Sequence, residues 1–335
     1  MSAGSTQPIG VVGAGAFGTA MAQMLTAGDR DVVLWAREPE VVAQINGERR
    51  NGLFLPNADL SPHIRATGTL AELGELPVLL LVTPAQHLGK ILAELQPRNG
   101  ADLVLCSKGI EASTGRLMAQ VAREAAPDCG IAVVSGPTFA HEVAAGLPTA
   151  VTVACGAGEA QWHRLGQAIA RPAFRPYYSD DVTGAEIGGS VKNVLAIACG
   201  VVDGLRLGQN ARSALISRGF AEMLRFGLAL GARAETLTGL SGLGDLVLTC
   251  SSTSSRNFSL GKALGEGQSL AEIMAGRNSV AEGAHTAPIL GRLAADRGVD
   301  MPIVEAVCAL LAGTIPAQEV VARLLARPLR AELGG

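Results

Sequence analysis

Charge is scarce in this 335-residue chain. Asp, Glu, Lys and Arg make up 17% of it, below the quarter usual for a soluble domain. Hydrophobic residues reach 48%, so large areas must be buried, and a homodimer interface is expected among them. The formal net charge of −3 gives no basic face, so neither nucleic acid nor an anionic membrane is an expected partner. No CxxC pair occurs among Cys106, Cys129, Cys155, Cys199, Cys250 and Cys308. Scattered among apolar and small residues, they read as reduced core thiols rather than disulfides or a metal site. No signal peptide opens the sequence. No apolar run approaches the roughly 20 residues needed to span a bilayer. No repeat or low-complexity linker appears. These absences point to a cytoplasmic protein without metal or membrane insertion, long enough for two domains with substantial cores.

Ile9 to Val12 is an apolar strand candidate. It runs into Gly13-Ala14-Gly15-Ala16-Phe17-Gly18, and a helical stretch follows from Thr19 to Thr26. This is G-x-G-x-x-G in the context it requires, strand before and helix after. Gly13 permits the tight turn, Gly15 lets the backbone approach a diphosphate, and Gly18 allows close helix–strand packing. The helix N-terminus adds free N–H groups and a positive dipole end. That context favours dinucleotide binding over a mere tight turn. A second strand, Asp31 to Trp35, should end at the adenosine ribose, where NAD-selective sites usually place an acid. Here Ala36 and Arg37 stand, with Glu38 next. Arg37 can pair with a 2′-phosphate, so NADPH is expected to be preferred, while Glu38 keeps NADH open.

Pro39 to Leu73 is mixed in character and carries no assignable chemistry. Pro77 to Thr83 is a continuous apolar strand of the parallel-sheet kind, and Leu88 to Leu95 should be a helix. A strand from Asp102 to Ser107 delivers Lys108 at its carboxyl end. Open α/β sheets bind ligands at that edge, which favours an anion-meeting lysine over an ordinary surface one. The buried strand Ile131 to Val134 leads into Ser135-Gly136-Pro137-Thr138-Phe139-Ala140, a plausible ligand-binding turn. Thr149 to Ala154 continues the sheet, and composition shifts around Pro172 to Ser179. The pattern predicts an α/β fold: an N-terminal Rossmann-type dinucleotide-binding domain, residues 1–180, and a C-terminal all-α domain, residues 181–335.

The second half opens on a stretch, Gly184 to Gly200, that reads as a buried helix, and Ile187, Val191, Val194, Ala198, Val201 and Leu205 recur at helical spacing to make one apolar face. Lys192 should lie off that apolar face, over Gly188 and Gly189. Two glycines beside a lysine suggest either close helix packing or an approaching ligand. A lysine among so many apolar residues loses hydration, which lowers its pKa. A long helix from Ser213 to Leu230 follows. Then come the glycine-rich turn Gly239 to Leu246 with Asp245, and a hydroxyl-rich stretch from Thr249 to Ser255. The latter reads as a mobile, ligand-covering loop. After it, Arg256 offers a planar fork for phosphate, and Asn257 can bond hydroxyl or carbonyl groups.

Gathered together, seven stretches resemble the bacterial-type NAD(P)-dependent glycerol-3-phosphate dehydrogenases. They are Gly13–Gly18, Ser107–Gly109, Ser135–Ala140, Gly184–Asn193, Gly239–Asp245, Ser255–Asn257 and Val280–Glu282, in family order over nearly the whole chain. The resemblance implies interconversion of sn-glycerol 3-phosphate and dihydroxyacetone phosphate, serving phospholipid synthesis. It implies that Lys192 is the acid/base and that Lys108 and Asp245 line the substrate site with it. Gly136, Thr138, Ser255, Arg256 and Asn257 would hold substrate or its phosphate. Ala16, Phe17, Arg37, Lys108, Ala140, Arg256, Val280 and Glu282 would contact NADP or NAD. Ala16-Phe17 stands where the family often has Ser-Trp, and Ala36-Arg37 where it has His-Arg. Thr138 replaces a common Ser. A second reading is a β-hydroxyacid dehydrogenase or ketopantoate-reductase relative acting on a carboxylate. A third is a non-catalytic NAD(P)-binding sensor.

Overall fold

The computed structural model describes residues 7–275 and 281–326. Eight strands form one sheet: β1 Ile9–Val12, β2 Val32–Trp35, β3 Ile64–Thr67, β4 Val78–Leu81, β5 Asp102–Leu105, β6 Gly130–Ser135, β7 Thr149–Cys155 and β8 Phe174–Ser179. Their order is β3-β2-β1-β4-β5-β6-β7-β8. Every pairing is parallel except β6 with β7. The first six strands thus stand in the doubly wound order of dinucleotide-binding sheets. The helices that accompany the sheet are α1 Ala16–Leu25, α2 Pro39–Glu48, α3 Leu88–Leu95, α4 Met118–Ala125, α5 Ala140–Ala144 and α6 Gly158–Ile169.

Register decides where chemistry can occur. Val12 pairs with Trp35 and with Leu81, Leu81 with Leu105, and Leu105 with Val133. The carboxyl ends of β1, β2, β4, β5 and β6 therefore fall on one edge. Both sheet faces are covered by apolar clusters, so these strands read as unbroken hydrophobic runs. The segment from Pro39 to Leu73 folds into α2, β3 and a short 3₁₀ turn, Leu70–Leu73. Only four residues long and charged at Arg65, β3 gives little strand signal. The first helix starts at Ala16 rather than Thr19, since it begins directly after Gly15.

The helical half contains α7 Val182–Gly204, α8 Gly208–Ala229, α9 Ala234–Thr238, α10 Asp245–Cys250, α11 Arg256–Gly265, α12 Leu270–Ala275, α13 Glu282–Asp296, α14 Pro302–Leu311 and α15 Ala317–Leu325. Its centre is α7, 23 residues long, with every residue from Gly184 to Val202 buried. The helix is buried, as expected, but not through a single apolar face: α7 is enclosed on all sides, and Lys192 is buried like its neighbours. The expectation about apolar runs also needs correction. By length and composition α7 could cross a membrane, with a mean hydropathy of 1.4 over its most apolar stretch. That stretch is wholly covered by the rest of the chain, and it carries Glu186, Lys192 and Asn193. Asp181 caps α7 by accepting from the Gly184 N–H at 2.8 Å. Glu186 accepts from the Ala119 N–H at 2.8 Å, tying α7 to the first turn of α4.

Helices α7 and α11 meet backbone to backbone. A Cβ on Gly200 would stand 2.0 Å from the Phe258 carbonyl oxygen, and one on Gly261 would stand 1.9 Å from that of Ile197. No side chain fits there, and backbone cannot step aside as a flexible side chain would. Gly261→Val is expected to destabilise the protein by about 3 kcal/mol or more, the upper range for overpacking. Urea titration of the variant reads this directly.

Candidate active site

The glycine turn has the form that its sequence predicts. Gly13 adopts φ +113°, and its N–H donates to the Trp35 carbonyl at 3.1 Å. A Cβ on Gly18 would lie 1.8 Å from the Gly13 oxygen, so only glycine lets α1 close onto the turn. Gly15 caps α1 without a side-chain cap bond. Nothing lies within 4 Å of where its Cβ would be. The N-terminus of α1, starting at Ala16, therefore opens onto a free cradle suited to a diphosphate. Phe17 and Ala140 flank the same apolar cluster beside it. Arg37 follows β2 with its side chain 78% exposed and paired to Glu38 at 2.8 Å.

Three charged side chains converge near the carboxyl edge. Lys108, just beyond β5, donates to Oδ2 of Asp245 at 2.8 Å. Lys192, midway along α7, donates to Oδ1 of the same carboxylate in a short contact. Thr249 Oγ1 adds a bond to Oδ1 at 3.3 Å. Asp245 is fully buried and Lys192 is 5% exposed. Burial and the neighbouring Lys108 ammonium pull Lys192 down to about 7, against the opposing pull of Asp245. Burial also works against charge on Lys108, but Asp245 outweighs it and holds that ammonium above its ordinary range. Asp245 is held below the usual carboxylate range, because the two lysines overcome the cost of its burial. The three groups share protons and titrate as a unit. At neutral pH the unit can give or take one proton at Lys192.

Of the two readings of the glycines beside Lys192, close packing is the one the structure bears out. A Cβ on Gly188 would meet the Ser241 carbonyl at 2.2 Å. Gly188 is therefore the gap that lets the wide turn Leu240–Gly244 press against α7 and deliver Asp245. A Cβ on Gly189 would meet Ser135 Oγ at 3.1 Å and Lys108 Cγ at 3.5 Å. That gap is filled by the end of β6 and the Lys108 stem, not left open for a ligand.

The structure places the remaining predicted residues around this centre unevenly. Gly136 sits at the end of β6 with φ +151°, and the Thr138 hydroxyl donates to its carbonyl at 3.2 Å. Ser255 is buried and caps α11, accepting from the Phe258 N–H at 3.2 Å. Asn257 is buried too, and its Oδ1 accepts from the Gly283 N–H at 2.9 Å. Ser255 thus fixes the start of α11, and Asn257 ties α11 to α13. Arg256 is exposed at the first turn of α11. Glu282 opens α13 half-buried; burial raises its carboxyl, while Arg256, Lys108 and Lys192 pull the other way. Val280 lies outside the described residues. Thr249 and Cys250 belong to α10, so the hydroxyl-rich loop is shorter than expected, and buried Ser255 anchors its end.

Two site features escape sequence reasoning. The hydroxyls of Thr83 and Ser135 are buried with no hydrogen-bond partner among the described residues. Thr83 follows β4 beside Gly13, and Ser135 ends β6 beside Gly189 and Lys108. A buried hydroxyl without a partner costs about 1–3 kcal/mol, a cost a bound ligand can remove. In sequence each is only one small polar residue after an apolar run. Among the described residues no group of three or more His, Cys, Asp or Glu side chains could hold a metal ion.

Comparison with known proteins agrees with this arrangement. The N-terminal model of the NAD-dependent glycerol-3-phosphate dehydrogenases matches residues 8–161, and the C-terminal model matches residues 181–322. A glycerol-3-phosphate dehydrogenase (NAD(P)+) of Novosphingobium aromaticivorans is 73% identical over 98% of both chains. One from Caulobacter vibrioides is 53% identical over 97% of this chain and 99% of its own. The solved glycerol-3-phosphate dehydrogenase of Coxiella burnetii superposes with a TM-score of 0.91 at 37% identity, covering 97% of this chain and all of that one. A ketopantoate reductase of Ralstonia eutropha reaches a TM-score of 0.60 at 14% identity, over 94% of this chain and 99% of its own, which is a likeness of fold alone.

Proposed function

This chain belongs to the NAD-dependent glycerol-3-phosphate dehydrogenase family, and from that premise we propose how its own residues carry the reaction. It is an NAD(P)-dependent oxidoreductase that interconverts sn-glycerol 3-phosphate and dihydroxyacetone phosphate. The observation that carries the assignment of roles is the pair of lysines on one buried carboxylate, Lys108 and Lys192 on Asp245.

The bound dinucleotide supplies or accepts the hydride. Lys192 gives a proton to the substrate oxygen in ketone reduction and takes one in alcohol oxidation. As ammonium it also stabilises negative charge developing there. Lys108 holds and polarises the substrate. Asp245 fixes both ammonium groups in position. Arg256 and the N–H groups near Gly136 and Thr138 bind the phosphate, whose binding energy aligns the carbonyl. Ser255 and Asn257 shape this pocket through the bonds they make to α11 and α13. Gly13, Gly15, Ala16, Phe17, Gly18 and Ala140 would hold the cofactor, and Glu282 would contact it from the start of α13. The domain division falls at residues 180 and 181, where β8 gives way to α7.

Oxidation of NADPH with dihydroxyacetone phosphate, set against 2-oxo and 3-oxo acids, tests the substrate class. Turnover should be confined to the phosphorylated ketone. Preferential use of the acids would favour the carboxylate reading, and binding without turnover would favour a sensor.

NADPH preference is assigned to Arg37. Arg37→Asp should raise the KM for NADPH about 10- to 100-fold, the worth of a charge-assisted bond of roughly 1.5–3 kcal/mol, and leave that for NADH nearly unchanged. Equal changes for the two cofactors would remove the assignment. A homodimer is proposed from the low charge content, and a cytoplasmic location from the six cysteines, all present as thiols. Supply of glycerol 3-phosphate for phospholipid synthesis is the role proposed in the cell.

A further inference from the structure

Asn51 lies in the loop between α2 and β3, far in sequence from every site residue, and is completely buried. Its Nδ2 donates to the Ala14 carbonyl at 2.9 Å and to Thr19 Oγ1 at 2.8 Å. Thr19 Oγ1 in turn donates to the same carbonyl at 3.1 Å. On the other side, Asn51 Oδ1 accepts from the Phe54 N–H at 3.2 Å. The Leu55 N–H donates to the Asn51 carbonyl at 2.9 Å. The side chain is thus fixed from its own loop and grips one oxygen of the glycine turn.

That oxygen belongs to the peptide joining Ala14 to Gly15. In a planar trans peptide the C=O and N–H point in opposite directions. Two donors draw the Ala14 oxygen into the protein, so the Gly15 N–H must point outward. The space beside Gly15 is open, with nothing within 4 Å of where a Cβ would stand. Gly15 has no side chain to restrain this peptide. Rotated the other way, it would turn a carbonyl oxygen towards a diphosphate and repel it.

We infer that Asn51, with Thr19, is a positioning residue that aims the Gly15 amide at the diphosphate of the cofactor. The inference rests on the reading that the dinucleotide lies on the Gly13–Gly18 turn. Asn51 acts before binding, holding one peptide orientation ready for the anion.

The test uses the full-length enzyme with NADPH and NADH as probes. Asn51→Leu keeps the side-chain volume and removes both donors. Kd for both cofactors should rise about 10- to 100-fold, the range for losing a hydrogen bond to a charged group. At saturating cofactor, kcat and the KM for dihydroxyacetone phosphate should stay within about threefold, since the diphosphate takes no part in the chemical step. Thr19→Val removes one donor to the same oxygen and should give a smaller rise. Combined with Asn51→Leu it should add less than its separate effect, because both act through one carbonyl. A lower Tm with Kd unchanged within about twofold would make Asn51 merely structural and overturn the inference. If Asn51→Leu fails to fold, Thr19→Val decides, and an unchanged Kd there overturns it equally. Gly15→Val checks the underlying reading by filling the cradle. If that change weakens cofactor binding while the Asn51 and Thr19 variants do not, only the tether fails. If Gly15→Val also binds normally, the tether falls with the reading beneath it.

Discussion

Replacing Lys192 by Met is expected to cut kcat by about 10²–10⁴, the usual contribution of a positioned acid/base, in both directions of the reaction. The Kd for NADPH should change little, because Lys192 is not part of the glycine turn proposed to hold the diphosphate. Met preserves most of the apolar stem that fills the space inside α7. A collapse of the fold would therefore not be the cause of lost turnover, and circular dichroism of the variant checks this. The pH dependence carries a second signature. Ketone reduction needs Lys192 as ammonium, so kcat/KM for dihydroxyacetone phosphate should fall as pH rises through about 7. Oxidation of glycerol 3-phosphate needs the neutral amine, so its kcat/KM should rise through the same interval. Both limbs should vanish in the Met variant. Near-normal turnover there, or wild-type profiles that rise and fall together, would remove Lys192 from proton transfer.

Asp245→Asn should damage both stability and catalysis. The amide has the shape of the carboxylate but no charge. Two buried ammonium groups, on Lys108 and Lys192, would lose the counter-charge they share. Breaking a buried ion pair on one side costs about 3–5 kcal/mol, because the remaining charge is left uncompensated. The protein can lessen that cost by releasing a proton from Lys192, already the weaker base of the pair. The falling limb for ketone reduction should then move to lower pH, since Asp245 is the group that raises Lys192 against burial. We expect kcat for reduction at pH 7 to drop by at least about 10², because the general acid is both neutral and unfixed. Urea titration and the pH profile separate the two losses. A variant of unchanged stability with an unmoved profile would show that Asp245 does not organise the lysines.

These expectations rest on groups whose legibility in the sequence differed sharply. Gly13, Gly15 and Gly18 declare themselves because their spacing is local: a turn, a cradle and a helix start all lie within six residues. The parallel strands are legible as unbroken apolar runs, since burial on both faces removes alternation. Lys108 is legible as the residue after such a strand, at the edge where open sheets bind ligands. Lys192 and Asp245 became specific through the family resemblance of the stretches around them. Periodicity alone misled at α7, because a helix enclosed on every side has no solvent face to read against. The segment from Pro39 to Leu73 stayed silent for another reason. The worth of Asn51 lies in an oxygen on a different loop, and no local pattern encodes that.

The sequence by itself determined the Rossmann-type domain, the glycine turn and the helical second half, through local spacing and composition, and pointed to the family through the resemblance of seven stretches. Only the tertiary structure decided that Lys108 and Lys192, 137 and 53 residues from Asp245, share its two oxygens. It also decided that Gly188 makes room for backbone rather than for a ligand. It left the hydroxyls of Thr83 and Ser135 without partners among the described residues, and placed Asn51 behind the Gly15 peptide. The physical reason is common to all four. Burial and hydrogen bonding join groups that are distant along the chain, and the free energy of such a contact depends on geometry that no single segment contains.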